Sequence, residues 1–200
     1  MFIIGITGAT GAGKTSALKA LKHLDAHIID CDEVYHSLLA EDNKLKSELE
    51  AEFSAVLKDG IIDRKRLGEI VFSDPKALEN LNAITHKYID AEISRQISNW
   101  EKKGGTLAAI DAIALIESGL NNRCNITTAI SAPREIRISR IMARDNITRK
   151  KAEMRIDAQK SDNFYIEHSD CLLENEYSTS EEFEEVCKSF FKQILLSHST

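Results

Sequence analysis

Apolar positions along the chain alternate between two rhythms. Residues 2–6 (FIIGI), 26–30 (AHIID), 106–111 (TLAAID), 126–131 (ITTAIS) and 171–174 (CLLE) are short, largely β-branched or small-residue runs, the form expected of buried strands. Between them the period lengthens to that of a helix. Leu18 and Leu21 follow the first run, and residues 34–57 carry Leu38, Leu45, Leu49, Phe53, Val56 and Leu57 at helical intervals until Gly60. Asp63 can cap a short helix holding Leu67, Ile70 and Val71, and Asp74-Pro75 opens another that runs past Leu78, Leu81, Ile84, Ile89, Ile93 and Ile97 to Gly104-Gly105. Ser131 with Pro133 starts a helix bearing Ile138, Ile141 and Met142, and a further helix covers residues 148–159. Ser178 with Glu181 reads as a capping box before the stripe Phe183, Val186, Cys187, Phe190, Phe191, Ile194 and Leu195. Five strands alternating with helices predict an α/β protein with a five-stranded parallel sheet. The helical material between the second and third strands exceeds what a crossover needs and predicts an inserted subdomain.

Composition adds only limits. With 42% hydrophobic and 29% charged residues the chain is ordinary for a globular protein, and 200 residues suit one domain with an insertion. A formal charge of −6 argues against non-specific nucleic-acid binding. The apolar runs fall short of a membrane span and the first is no signal peptide, which predicts a cytoplasmic protein without a membrane partner. Cys31, Cys124, Cys171 and Cys187 are widely spaced, without CxxC or a His at ligand spacing, and predict reduced thiols rather than a disulfide framework or zinc site.

The chemistry begins where the first strand ends. Gly8-Ala-Thr-Gly-Ala-Gly-Lys-Thr15 satisfies GxxxxGK[ST] between a strand and a helix. Gly8, Gly11 and Gly13 permit a turn whose N–H groups converge on an anion, Lys14 can reach β/γ-phosphates, and the Thr15 hydroxyl can join a Mg²⁺ shell. Asp30 and Asp32 close the second strand; on an extended chain they point to one side, as a general base or a ligand of Mg²⁺-bound water for an attacking hydroxyl, or one of them caps the next helix. Asp111 ends the third strand, as a carboxylate holding Mg²⁺ through water or as a cap, with Glu117 able to support it. His86 stands alone in a helix, which favours a structural role. Arg137, Arg140 and Arg144 share a helical face, and with Arg149, Lys150, Lys151, Arg155 and Lys160 they concentrate positive charge in an acidic chain, as a lid closing over phosphates or as a solvated face.

Taken together these stretches resemble the dephospho-coenzyme A kinases, a branch of the phosphate-loop kinases. Gly5-Ile6-Thr7-Gly8 with Gly11-Ala12-Gly13-Lys14-Thr15 is similar to the family's glycine loop, Asp30-Cys31-Asp32 to its D-A-D, and Asp63-Arg64, Leu67, Val71-Phe72, Asp74, Leu78, Leu81 and His86 to its D-R-x-x-L…V-F-x-D…L…L…H-P. Ile110-Asp111 through Glu117 takes the place of D-x-P-L-L-F-E, and Arg140, Arg144, Arg155, Gln159, Asp170 and Asn175 follow the later motifs. Lys87 stands where the family has proline, and Ile113-Ala114-Leu115-Ile116 where it has P-L-L-F.

The resemblance implies a three-layer phosphate-loop kinase fold with a helical acceptor-binding insertion and a helical lid: core 1–33, 105–144 and 169–200, insertion 34–104, lid 145–168. It implies transfer of the ATP γ-phosphate to the ribose 3′-hydroxyl of dephospho-coenzyme A with Mg²⁺, the last step of coenzyme A biosynthesis. Asp32 is then the base, with Lys14 and Arg140 also catalytic. ATP is held by Gly8, Gly11, Ala12, Gly13, Lys14, Thr15, Ser16, Arg144 and Asn175. Thr7, Asp30 and His86 serve the acceptor, Thr15 binds Mg²⁺, and Asp111 does so through water. The rival expectations are another small-molecule or nucleoside kinase and a non-catalytic ATP-binding switch; a GTPase lacks its N-K-x-D stretch. The oligomeric state is not written in the sequence.

Overall fold

The computed structural model describes residues 1–198. Its principal sheet has five strands, β1 (Phe2–Thr7), β2 (His27–Asp30), β5 (Leu107–Asp111), β6 (Ile126–Ser131) and β7 (Cys171–Glu174), in the order β2-β5-β1-β6-β7. Ile6 is in parallel register with Asp111, Thr7 with Ala129 and Ser131 with Glu174, so β1, β5, β6 and β7 end at one edge. The five predicted strands and the parallel α/β sheet are therefore present. Contacts divide the chain into two compact units, residues 1–29 with 100–200 and residues 30–99.

In the first unit both faces of the sheet are covered, which is why its strands lack polar alternation. Helix α1 (Lys14–His23) and helix α9 (Ser180–Ser197) supply Leu21, Phe183, Cys187 and Phe191 against Ile4, Ile6, Ala109 and Ile130, all fully or almost fully buried. On the other face a Cβ at Gly5 would stand 2.8 Å from both Cys124 Sγ and a Leu115 methyl, so a larger residue would have to push both aside. Helices α6 (Arg134–Asp145), α7 (Arg149–Asp157) and α8 (Asp162–Glu167) complete the unit. Ile138, Ile141, Ala152 and Ile156 join α6 to α7, while Tyr165 of α8 packs on Ala129 and Ala9.

The second unit has its own core. Helix α2 (Cys31–Glu41), α3 (Asn43–Phe53), α4 (Arg64–Ser73) and most of α5 (Pro75–Lys102) bury Leu39, Leu45, Leu49, Phe53, Leu67, Val71 and Leu81. The periodic stretch 34–57 is two helices rather than one, because the Asp42 carboxylate accepts the N–H groups of Lys44 and Leu45 and starts α3 afresh. It ends earlier than its apolar pattern: β3 (Leu57–Lys58) and β4 (Ile61–Ile62) form a hairpin turning at Asp59 and Gly60, both at positive φ. Asp63 caps α4 through the Arg66 N–H, as expected. Helix α5 runs unbroken for 28 residues through Lys87, which keeps its backbone N–H where the family's proline would lack one. Lys87 pairs with Glu48, which also accepts from the Tyr88 hydroxyl at 2.9 Å.

Two helix starts shift and one helix is added. Ser131 belongs to β6, and α6 begins after Pro133 without a side-chain cap. Helix α8, with Ser161 as its cap, lies in a stretch that showed no period in the sequence. The final capping box is Thr179 with Glu182, one residue beyond the Ser178–Glu181 pair, and all of its reciprocal bonds are made.

Candidate active site

The loop between β1 and α1 is shaped by glycines that cannot be replaced. Gly8, Gly11 and Gly13 have φ of 132°, 78° and 113°. A Cβ on Gly8 would lie 2.2 Å from the Ile130 carbonyl oxygen and one on Gly13 2.1 Å from Asn175 Nδ2. Helix α1 then starts at Lys14 with Gly13 as its left-handed N-cap and no side chain competing for its first N–H groups. That is the arrangement in which a helix N-terminus receives phosphate. Lys14 Nζ rests 3.3 Å from the Gly8 carbonyl oxygen, folded over the loop, and the Thr15 side chain is exposed at its mouth.

The carbonyl side of the same loop is occupied. Arg137 Nε donates to the Thr10 carbonyl at 3.1 Å. Arg140 Nη1 lies 3.4 Å from the Gly11 oxygen and 3.3 Å from that of Ala12, which also accepts from Asn175 Nδ2 at 2.9 Å. Asn175 Oδ1 in turn accepts from Arg140 Nη2 at 3.0 Å, and Tyr177 contributes its carbonyl at 3.1 Å. A trans peptide directs its C=O and the following N–H to opposite sides. Holding the carbonyls of Thr10 and Ala12 backward therefore turns the N–H groups of Gly11 and Gly13 forward, into the concavity.

Arg140 and Asn175, expected to meet ATP directly, thus stand in this structure behind the loop that would hold it. Burial lowers the Arg140 guanidinium below the usual arginine pKa. Arg144 lies elsewhere: its side chain is 61% exposed and doubly bonded to Asp145, at 2.8 and 3.0 Å. Arg155 shares that carboxylate, and hydrogen bonding and charge from the two arginines hold Asp145 below the ordinary aspartate pKa. Arg134 pairs with Asp157 at 2.7 Å, and Arg149 with Glu135 and Glu153 at 2.7 and 2.8 Å, so much of the basic concentration in residues 134–160 is neutralised among its own neighbours.

Thr7 is fully buried at the end of β1, its hydroxyl 3.3 Å from the Ile113 carbonyl oxygen. Asp111 ends β5 opposite Ile6. Beside them a groove of about 450 Å³ is lined by Ile113, Glu117, Ala158, Gln159, Lys160 and Tyr165. Gln159 ties the groove to the loop, since its Oε1 accepts the Thr10 N–H at 2.8 Å. Burial, with the Glu117 charge next, raises the Tyr165 phenol above its ordinary pKa. Among the described residues no group of three or more His, Cys, Asp or Glu side chains could hold a metal ion. A Mg²⁺ carried by a nucleotide keeps several waters and takes only one or two protein oxygens beside the phosphates, so it needs no such group.

In the second unit Asp30 is the N-cap of α2, its Oδ1 accepting the N–H groups of Asp32 and Glu33 at 2.9 and 3.1 Å. Asp32 therefore lies in the first helical turn and not on extended chain, which corrects the argument from strand alternation; its carboxylate is exposed beside the positive end of the helix dipole. His86 is exposed on α5. The contribution of Arg137 to the loop was missed in the sequence. Its i, i+3 relation to Arg140 was visible, but its 2% exposure was not.

A glycine loop closing the first strand of a parallel sheet, with a lysine folded across it, defines a phosphate-loop kinase fold. The dephospho-CoA kinase family model matches residues 2–181. A dephospho-CoA kinase of Dehalococcoides mccartyi is 36% identical over 177 residues, 88% of this chain and 89% of that protein. Two solved structures align along nearly their whole length. A Thermus thermophilus protein has TM-score 0.81 and 30% identity, with 100% of this chain and 98% of the other covered. The dephospho-CoA kinase from Campylobacter jejuni has TM-score 0.69 and 28% identity, with 96% of each covered. The chain belongs to the dephospho-CoA kinase family, and with it to the ATP-dependent kinases.

Proposed function

We propose that the chain transfers the γ-phosphate of ATP to the ribose 3′-hydroxyl of dephospho-coenzyme A, giving coenzyme A and ADP. The observation that carries this reading is the glycine loop, whose Thr10 and Ala12 carbonyls are held back so that the Gly11 and Gly13 N–H groups turn the other way, next to the α1 N-terminus, in a chain whose family model covers residues 2–181. Lys14 leaves the Gly8 carbonyl to meet the β/γ-phosphates, while Gly8, Gly11, Ala12, Gly13, Thr15 and Ser16 surround them. Arg140 and Asn175 serve the reacting centre through the loop they brace, and Arg144, at the end of α6 where the lid of residues 145–168 begins, exchanges Asp145 for phosphate as the lid closes. Asp32 takes the proton of the attacking hydroxyl, its own charge favoured by the helix N-terminus until the acceptor arrives. Asp30, while capping α2, keeps Oδ2 for the acceptor; Thr7 and His86 complete that set, and the insertion at 34–104 selects the acceptor. Mg²⁺, held by Thr15 directly and by Asp111 through water, would neutralise phosphate charge. Among the described residues no helix is long and apolar enough to cross a membrane, and a cytoplasmic enzyme is the matching proposal.

The test is a panel assay: Mg-ATP with dephospho-coenzyme A, set against nucleosides and other alcohols. Phosphate should appear on the dephospho-coenzyme A ribose alone, and Asp32→Asn should lower turnover by about 10²-fold or more while ATP still binds, the range of general-base catalysis. Phosphorylated nucleosides would instead mark a different small-molecule kinase. Slow hydrolysis indifferent to every acceptor would mark a switch.

A further inference from the structure

Arg137 is a buried cation in the wall of the loop. Its side chain is 3% exposed, and its two engaged groups point to different elements: Nε to the Thr10 carbonyl at 3.1 Å, Nη1 to Asp162 Oδ1 at 2.5 Å on the first turn of α8. The Thr10 residue is held from its other side by Gln159, which accepts its N–H. A desolvated charge is retained only where its partners are well placed, and removing one of them is costly. A packing role alone would have been met by an apolar side chain at this face of α6, between Ile138 and the loop. What an apolar side chain cannot do is fix the plane of the Thr10–Gly11 peptide.

We infer that Arg137 is a positioning residue for the nucleotide phosphates: anchored by Asp162, it holds the Thr10 carbonyl and thereby aims the Gly11 N–H into the anion site. The inference rests on the ATP reading above and deepens it, since it names what makes the glycine loop stiff before nucleotide arrives. The tip at Thr10 to Gly11 is where φ turns positive at 78°, and at Gly11 a Cβ would meet the Arg137 backbone at 3.0 Å, so α6 and the loop tip are in direct contact. Two fork positions of one guanidinium are used at once. Lysine offers a single ammonium in place of that planar fork. Arg137 touches no phosphate in this arrangement; it acts through the backbone it orients. The same guanidinium connects the loop to α8, whose Tyr165 lines the groove beside it.

The experiment measures nucleotide binding without any acceptor. Isothermal titration with Mg-ADP and with Mg-ATP is carried out on the wild type, Arg137→Gln, Arg137→Lys and Asp162→Ala, each checked for folding by circular dichroism. Lys188→Gln, which breaks an exposed pair with Glu185, serves as control. Arg137→Gln should raise both dissociation constants about tenfold or more, the scale of one lost charge-assisted hydrogen bond. Asp162→Ala and Arg137→Lys should each raise them several-fold, Arg137→Gln with Asp162→Ala should be no weaker than Arg137→Gln alone, and the control should match the wild type. In turnover assays the KM for ATP should rise with that for the acceptor unchanged, a split that general destabilisation does not produce. Folded Arg137→Lys and Asp162→Ala proteins that bind nucleotide like the wild type overturn the inference, even if Arg137→Gln does not fold. A wild type that binds neither nucleotide overturns the ATP reading and this inference with it. A wild type that phosphorylates dephospho-coenzyme A beside variants of equal affinity overturns the inference alone.

Discussion

Individual side chains in this protein work mostly by what they do to the backbone. Asn175 and Arg140 close a ring of hydrogen bonds behind the loop, and Asp30 spends one carboxylate oxygen on two N–H groups of α2. The cysteines are instead shifted by their surroundings: Cys124 Sγ donates to the Leu120 carbonyl oxygen at 3.6 Å, and burial dominates its titration and that of Cys187. All four are free thiols, Cys31 and Cys187 buried and Cys124 and Cys171 partly so. Burial pushes the Cys187 thiol up to about 12 from an ordinary 9.0, and burial with the Asp170 carboxylate does the same for Cys124. In the unfolded chain both would ionise near 9.0 while the folded chain keeps them protonated to about 12. Between those values the native state binds more protons, so this contribution to stability is intact below pH 9 and lost as pH rises toward 12. Urea unfolding measured from pH 7 to 11 should show a steeper alkaline decline for the wild type than for the Cys124→Ala, Cys187→Ala double variant. Parallel curves would refute the assignment.

Among the elements, those with local signals were legible in the sequence and those made by distant partners were not. The strand, glycine loop and helix of residues 2–23 could be read because turn, phosphate loop and cap are written within a few residues. The same holds for Asp63 and Asp74, whose carboxylates accept the Arg66 and Lys76 N–H groups. Asp42 gives no such signal, because the apolar period of α2 continues into α3 without a change of phase. The brace behind the loop was invisible for a different reason: Arg137 lies 127 positions from Thr10 and Asn175 lies 163 from Ala12, and no spacing rule spans such distances. At the start of α9 two overlapping signals, Ser178 with Glu181 and Thr179 with Glu182, compete one residue apart, and the structure takes the second. Thr179→Ala should therefore cost about 1 kcal/mol, a fall in melting temperature of about 2–4 °C for a chain this size. Ser178→Ala should leave it unchanged within error. Thermal scans of the two variants side by side decide the register, and equal losses would contradict it.

At the scale of the molecule the division into two units predicts that acceptor selection and ATP binding respond separately to loss of stability. Residues 30–99 enclose Leu39, Leu45, Leu49, Phe53, Val56, Ile62, Leu67, Val71 and Leu81 in a cluster of their own. The glycine loop, its brace and the groove at Ile113 and Gln159 belong to the other unit, built on the α1, α9 and strand core. An insertion with its own core can lose stability without the loop losing its shape, because the peptides that aim the phosphate-binding N–H groups are held by α6 and residue 175, and neither lies in the insertion. Leu49, fully buried in the insertion core, is the probe. Leu49→Ala should cost about 2–5 kcal/mol within its unit, as large-to-small core changes do. If the insertion selects the acceptor and the loop binds ATP, the variant should retain near wild-type affinity for Mg-ATP while the KM for dephospho-coenzyme A rises severalfold, and hydrogen exchange should quicken in 30–99 with residues 1–29 still protected. A parallel loss of both affinities, or faster exchange spread evenly over the chain, would show that the units unfold as one and that the tasks are not divided between them.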